Sequence, residues 1–306
     1  MHKTGFVSIV GNPNVGKSTI MNLLVGERLS IISPKAQTTR HRIFGIVNGN
    51  YNNASENFDY QIVYSDTPGF LHPSYRLQEQ MLQFSQSALI DADIILLVTD
   101  PHDEKNTNAK LIQKIKENNE SNNKIPIIIA LNKIDLINQK ALSDAVTNWE
   151  NTIPNAIILP LSAKFNFGID QLKKSILAHL VEGHPFFDKE QLTDKPSRFF
   201  ASEILREKIL LSYKEEIPYC VEVEIQSFQE TENHIRMKAT IYTERESQKG
   251  ILIGKYGKAL KHITTLAIKD MEDFFKKRVF LSVLVKVDEK WRENIQRLQH
   301  YGYYNI

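Results

Sequence analysis

The sequence predicts an α/β domain built on a mostly parallel six-stranded sheet, followed by a smaller α+β domain. Three observations carry this. Residues 5–180 alternate short β-rich runs with stretches of helical periodicity, the pattern of a parallel sheet covered by helices. Around 181–198 the text changes to "VEGHPFFDKEQLTDKPSR", with two prolines and mixed charge, which reads as a linker. Beyond it the order of elements differs: a helix, two strands, two helices and a last strand. The domain boundaries expected are therefore 1–180 and 199–306, joined by 181–198.

In the first part the strands are expected at "FVSIV" (6–10), "RIFGIV" (42–47), "YQIVYS" (60–65), "DIILLVT" (93–99), "IPIIIAL" (125–131) and "AIILPL" (156–161). The polar tip "NGNYNNASEN" (48–57) looks like a turn between two neighbours, which makes that pair antiparallel. "AKLIQKIKE" (109–117) has the spacing of a helix. In the second part a helix is expected over "ASEILREKILLSY", then strands in "YCVEVEIQSF" and "IRMKATIY". Thr243 with Glu246 reads as a capping box opening a short helix. A longer helix runs from Lys258 to Phe275, a strand covers "RVFLSVLVKV", and a final helix places Trp291, Ile295 and Leu298 on one face, docked on its own domain.

Composition narrows the class. Of 306 residues, 42% are hydrophobic and 24% charged, as in an ordinary soluble protein. The apolar run "IILLV" (94–98) is too short to cross a bilayer, and Gly5–Gly11 leads straight into a strand rather than resembling a signal peptide. The one cysteine, Cys220, cannot form an internal disulfide and is expected as a small core residue. A cytoplasmic location follows as the plain expectation. The nine histidines form no metal-ligand spacing. Net charge is only +2, yet 249–269 carries Lys249, Lys255, Lys258, Lys261 and Lys269 with no acidic residue. A solvated helix face looks the same, so nucleic acid needs further support.

"GNPNVGKST" (11–19) supplies the chemistry of the first part. Gly11, Asn12, Pro13, Asn14, Val15, Gly16, Lys17, Ser18 and Thr19 follow a strand and open a helix, the context a phosphate loop requires. Glycines let backbone N–H groups close around phosphates, and the helix N-terminus adds partial positive charge. Lys17 reaches the terminal phosphates and the Ser18 hydroxyl suits Mg²⁺. "DTPG" (Asp66, Thr67, Pro68, Gly69) ends the third strand, with Asp66 beside the metal and Gly69 near the γ-phosphate. "NKID" (132–135) follows an apolar strand, and Asp135 there can accept from guanine N1–H and the 2-amino group, donors adenine lacks. Asn132 and Lys133 brace that loop, while Ser162, Ala163 and Lys164 offer backbone N–H groups to the guanine oxygen. Together these predict GTP and GDP binding.

This set resembles the translation-factor-like GTPases. The resemblance puts "AQTTRHRI" (36–43) at the first switch, with Thr39 or its neighbour Thr38 reaching Mg²⁺ when GTP is bound, and it gives Lys17, Thr39 and Gly69 catalytic roles. One departure concerns hydrolysis. Where Ras-like proteins carry a glutamine that orients the attacking water, this chain has Phe70. Similar proteins with Asn at the position of Asn14 use K⁺ near the phosphates, which can stabilise charge there; the alternative is that Asn14 only fastens the loop.

"GILIGKYGKALKHI" (250–263) contains a second glycine–lysine loop. It has two residues between glycines and no hydroxyl after the lysine, so it is not a second phosphate loop. Helix, strand, strand, helix, GxxG, helix, strand is the order of a type II KH domain, which binds single-stranded nucleic acid. On that resemblance Gly254 and Gly257 let the RNA backbone pass close, and Lys255, Lys258 and Lys261 add charge. Tyr256 lies in the same loop, and bases meet an apolar groove at Ile251, Ile253 and Ile263. The combined motifs, with "IPYCVEVEI", resemble the Era family over nearly the whole chain. That resemblance implies a GTPase that binds 16S-type ribosomal RNA near its 3′ end and assists assembly of the 30S subunit. It also implies loose association at the inner face of the cytoplasmic membrane for some members; a monomer is the separate expectation. Two rivals stand beside it: a regulatory GTPase acting on a protein or membrane, with the KH domain as docking module, and a non-enzymatic RNA chaperone for which nucleotide is structural.

Overall fold

The computed structural model describes residues 1–53, 56–101, 109–121 and 125–304. The tip residues Ala54 and Ser55 of the expected turn lie outside them. The chain divides into two compact units. The first comprises Met1–Ser30, Thr39–Pro73 and Met81–Asp194; the second comprises Ile31–Thr38, Ser74–Gln80 and Lys195–Ile306.

The first unit holds β1 (His2–Val10), α1 (Lys17–Val25), β2 (Ile43–Asn52), β3 (Asn57–Asp66) and most of α2 (Arg76–Ile90). There follow β4 (Ile94–Thr99), α3 (Ala109–Ser121), β5 (Ile127–Leu131), α4 (Gln139–Thr152), β6 (Ile157–Pro160), α5 (Ile169–Ala178) and β7 (Val181–Glu182). The sheet order is β2-β3-β1-β4-β5-β6. All pairs along it are parallel except β2–β3, the antiparallel pair expected from the polar tip. The central strands β4 and β5 are buried at every position, as a parallel strand covered on both faces must be. Parallel strands send all their carboxyl ends to one edge, and the expected nucleotide motifs all follow strands of this set.

Residues 181–194 do not behave as the expected linker. β7 pairs antiparallel with Lys3 and Thr4 of β1, giving the sheet a seventh strand. The buried Gln61 side chain accepts from the amides of Phe186 and Phe187 at 2.7 and 3.0 Å and donates to the Phe187 carbonyl at 2.8 Å. Asp194 caps the Phe44 amide at 2.8 Å, and the Phe6 and Phe186 rings lie 4.7 Å apart. The proline and mixed charge here mark a strap fastened to the sheet, held by hydrogen bonds to its backbone that periodicity does not reveal.

The second unit contains α6 (Ser197–Ser212), α7 (Ile217–Cys220), β8 (Glu222–Glu230), β9 (His234–Thr243), α8 (Glu246–Ile253), α9 (Lys258–Phe275), β10 (Arg278–Val287) and α10 (Ile295–His300). Its sheet runs β10-β9-β8, antiparallel between β8 and β9 and parallel between β9 and β10. A parallel pair needs a long crossover, here supplied by α8 and α9. Ile263, Ala267 and Met271 recur at the spacing of one helix face on α9, and Ala201, Leu205 and Ile209 do so on α6; all six enter one apolar core with Cys220. Three local expectations are corrected. α8 opens at Glu246, with the Gln248 side chain accepting from the amides of Glu244 and Arg245 at 3.0 Å, while Thr243 ends β9. Trp291 stands in a 3₁₀ turn before α10 rather than on it, fully buried, its Nε1 donating to the Cys220 carbonyl at 3.0 Å. Ile263 belongs to the core and is unavailable to a base.

Candidate nucleotide and RNA sites

The phosphate loop needs glycine for reasons of space. A Cβ on Gly11 (φ +152) would sit 2.1 Å from the Val98 carbonyl oxygen, and one on Gly16 (φ +105) 2.2 Å from Asn132 Nδ2. Gly69 meets the same loop: its Cβ would lie 2.7 Å from the Pro13 nitrogen. The loop's other residues alternate in exposure. Asn12, Val15 and Lys17 are buried, Pro13, Ser18 and Thr19 are half-buried, and Asn14 is exposed in the left-handed region. Lys17 Nζ folds back over the loop, donating to the Gly11 and Asn12 carbonyls at 3.2 and 2.8 Å. An ammonium held on main-chain oxygens is ready to exchange them for phosphate oxygens.

Three side chains meet beside it. Ser18 Oγ donates to Asp66 Oδ2 at 2.8 Å and lies 2.9 Å from Thr39 Oγ1, which reaches the same carboxylate oxygen at 3.5 Å. Burial pushes the Asp66 carboxyl up; Lys17 and the hydroxyls of Ser18, Ser30 and Thr39 pull it back. Asp66 Oδ1 is buried and accepts no hydrogen bond among the described residues. Two hydroxyls and a carboxylate with a spare oxygen form a hard-oxygen donor set of the kind Mg²⁺ takes. Thr38 is arranged differently: its hydroxyl donates to the Lys35 carbonyl at 2.5 Å and lies 3.0 Å from Ser33 Oγ. Thr67 Oγ1 donates to the Ile9 carbonyl at 2.8 Å and Ser85 Oγ to the Pro68 carbonyl at 2.8 Å, fixing the turn that carries Gly69. The Phe70 amide donates to the Gly11 carbonyl at 3.0 Å, while its ring packs against the apolar cluster around Leu97 and Leu131.

The residues expected to read the base converge from two loops. Asn132 Nδ2 donates to the Val15 carbonyl at 2.8 Å, and its Oδ1 accepts from the Ala163 amide at 2.9 Å, so one side chain ties the phosphate loop to the third loop. Lys133 pairs with Asp100 at 2.9 Å, a partner that sequence reading missed because it comes from the end of β4. Ser162 Oγ donates to Asp135 Oδ1 at 2.5 Å and leaves the exposed carboxylate oriented. Lys164 lies over the Phe165 ring at 5.0 Å.

In the second unit, Gly254 (φ +70) ends α8 and Gly257 (φ +73) opens α9, their link closed by the Gly257 amide donating to the Gly254 carbonyl at 3.1 Å. A Cβ on Gly254 would meet Ala259 Cβ at 2.6 Å, whereas one on Gly257 would meet nothing within 4 Å. The first glycine serves the turn; the second leaves open room above a helix N-terminus. Lys255, Tyr256, Lys258 and Lys261 are exposed, with Tyr256 at 86% and in the left-handed region. Ile251 is exposed and Ile253 half-buried.

Comparison with known proteins finds a family model in each of the two regions. The 50S ribosome-binding GTPase family model matches residues 6–133 and the KH domain model matches 216–292. GTPase Era of Staphylococcus haemolyticus is 37% identical over 303 residues, covering 99% of this chain and 97% of that protein. The chloroplastic GTPase ERA-like protein of Oryza sativa subsp. japonica is 39% identical over 312 residues, covering 99% of this chain and 70% of its own. Among solved structures, Era in complex with MgGDPNP and nucleotides 1506–1542 of 16S ribosomal RNA superposes with a TM-score of 0.90 at 36% identity, covering all of both chains. A variant of Era from Aquifex aeolicus bound to GDP and AlF₄⁻ gives the same score and identity over 99% of this chain and all of its own. With identity above a third along the full length, and with both family models matched in one chain, the protein belongs to the Era family of GTPases.

Proposed function

We propose that the protein hydrolyses GTP in its first unit, and that its second unit binds small-subunit ribosomal RNA near the 3′ end during 30S assembly. The observation that carries the reading is the presence in one chain of an assembled phosphate and guanine site and an open GKYG loop at a helix N-terminus, in the family whose solved member holds both ligands. In this reading Lys17 leaves its carbonyl partners for the terminal phosphates, Asp135 takes guanine N1–H and the 2-amino group, and Gly69 lies beside the γ-phosphate. Ser18, Thr39 and Asp66 hold Mg²⁺, which supplies charge neutralisation between the phosphates. Thr39 is assigned rather than Thr38 because its hydroxyl already lies with Ser18 and Asp66. Phe70 has no polar side-chain atom and packs inward, so orienting the attacking water falls to backbone groups, and Asn14 holds a K⁺ that supplies further charge stabilisation. The protein acts as a monomer in the cytoplasm, with peripheral contact to the membrane.

Multiple-turnover phosphate release in K⁺ and in Na⁺ buffers tests the catalytic part. The expected outcome is turnover in both, at least about tenfold faster in K⁺, with the difference lost in Asn14→Ala. Absence of turnover in either buffer would favour the RNA chaperone; equal rates would remove K⁺ from the account.

A further inference from the structure

The loop after β5 is held from the end of β4 as well as by its own turn. β4 and β5 pair in parallel with Thr99 beside Leu131, so the residues that follow the two strands leave the sheet side by side. The Asn132 amide donates to the Thr99 carbonyl at 2.8 Å. One residue further along each strand, the Lys133 ammonium donates to Asp100 Oδ2 at 2.9 Å. The lysine side chain is 34% exposed and the aspartate side chain 13%. Lys133 stands in the left-handed region at φ +62 and leads into a 3₁₀ turn, Ile134–Leu136, where its carbonyl accepts from the Leu136 amide at 3.0 Å. Asp135 lies inside that turn, exposed, with Oδ1 accepting from Ser162 Oγ at 2.5 Å. All of these residues belong to the first unit. One ammonium thus has two carboxylates to choose from: Asp100, which holds it, and Asp135, two positions along the chain.

We propose that Asp100 is a positioning residue for guanine binding: it holds the Lys133 ammonium off Asp135 and so leaves the Asp135 carboxylate open to the base. The proposal rests on the reading of Asp135 as the guanine acceptor. A lysine carries a compact point charge on a flexible four-carbon stem, so a Lys133 released from Asp100 turns to the next carboxylate. A pair formed at Asp135 would occupy the oxygens that guanine N1–H and the 2-amino group need, and binding would first have to break it. The difference in exposure decides which pair forms in the intact chain. Asp100 is the more buried carboxylate, and water and salt screen a pair there less than one at the exposed Asp135. Because the guanine ring is common to GDP and GTP, the effect falls on both nucleotides alike.

The experiment titrates the full chain, in Mg²⁺, with ribose-labelled fluorescent GDP, a non-hydrolysable GTP analogue and xanthosine diphosphate. The variants are Asp100→Asn, which keeps the shape and removes the charge, Lys133→Met, the two combined, and Asp135→Asn. The expected result is that Asp100→Asn lowers affinity for GDP and for the analogue alike, by about tenfold. With Lys133→Met present the same change should cost less than about twofold, since no ammonium is left to reach Asp135. If Asp100→Asn costs as much with Lys133→Met as without it, Asp100 acts through the fold or another group, and the proposal is overturned. A loss confined to the analogue would place the effect at the phosphates and would also overturn it. If Asp135→Asn moves the preference from guanine to xanthine while Asp100→Asn changes nothing, the reading of Asp135 stands and the Asp100 proposal falls. If Asp135→Asn leaves the preference unmoved, the reading of Asp135 fails and the proposal fails with it.

Discussion

In the proposed function, Asp135 is the one carboxylate on which the choice of nucleotide rests. Its Oδ1 is held by Ser162 and the group is otherwise exposed, so it costs little until a base arrives, and then needs donors. Asp135→Asn replaces an acceptor by an amide that presents N–H to N–H. GTP affinity should fall about 100-fold, and xanthosine triphosphate, whose 2-oxo group accepts, should gain in its place. Equilibrium titration with both nucleotides checks this. The motifs of this candidate site stand out in the sequence because each is local: "GNPNVGKS", "DTPG", "NKID" and "SAK" set their own backbone within a few positions. The choice between Thr38 and Thr39 was not legible. Adjacent threonines have the same spacing from every other motif, and only the direction of each hydroxyl separates them.

At the scale of elements, α9 and its opening loop carry the RNA argument. The helix buries Ile263, Ala267 and Met271 and turns Lys258 and Lys261 to solvent, so its N-terminus and its charges face the same medium. Removing Lys255 and Lys258 as Lys255→Glu and Lys258→Glu should lower affinity for a single-stranded RNA from the 3′ end of 16S RNA without changing GTP affinity. It should also flatten the slope of log K against log salt by about 1.4, two contacts at about 0.7 each for single strands. A salt titration by fluorescence anisotropy measures both. Element order was readable from the sequence, whereas the face of α9 was not: Ile263, expected at the bases, lies in the core. Nor was the strap 181–194, since Gln61, a lone glutamine in an apolar strand, is what receives it.

At the scale of the molecule, the division into units departs most from the sequence. The stretches 31–38 and 74–80 interrupt the first unit in sequence and belong to the second. Nothing in "IISPKAQT" has a period or a charge pattern that announces this, because the bond that fixes it joins residues 168 positions apart. Any coupling between the two ligands is reciprocal: RNA changes GTP affinity by the factor by which GTP changes RNA affinity.

Crosslinking the purified chain to ribosomal RNA, once with a non-hydrolysable GTP analogue and once with GDP, followed by sequencing, tests the central claim most directly. The account predicts crosslinks gathered near the 3′ end of the small-subunit RNA and stronger with the analogue. Crosslinks scattered over the RNA, or indifferent to nucleotide, would contradict it.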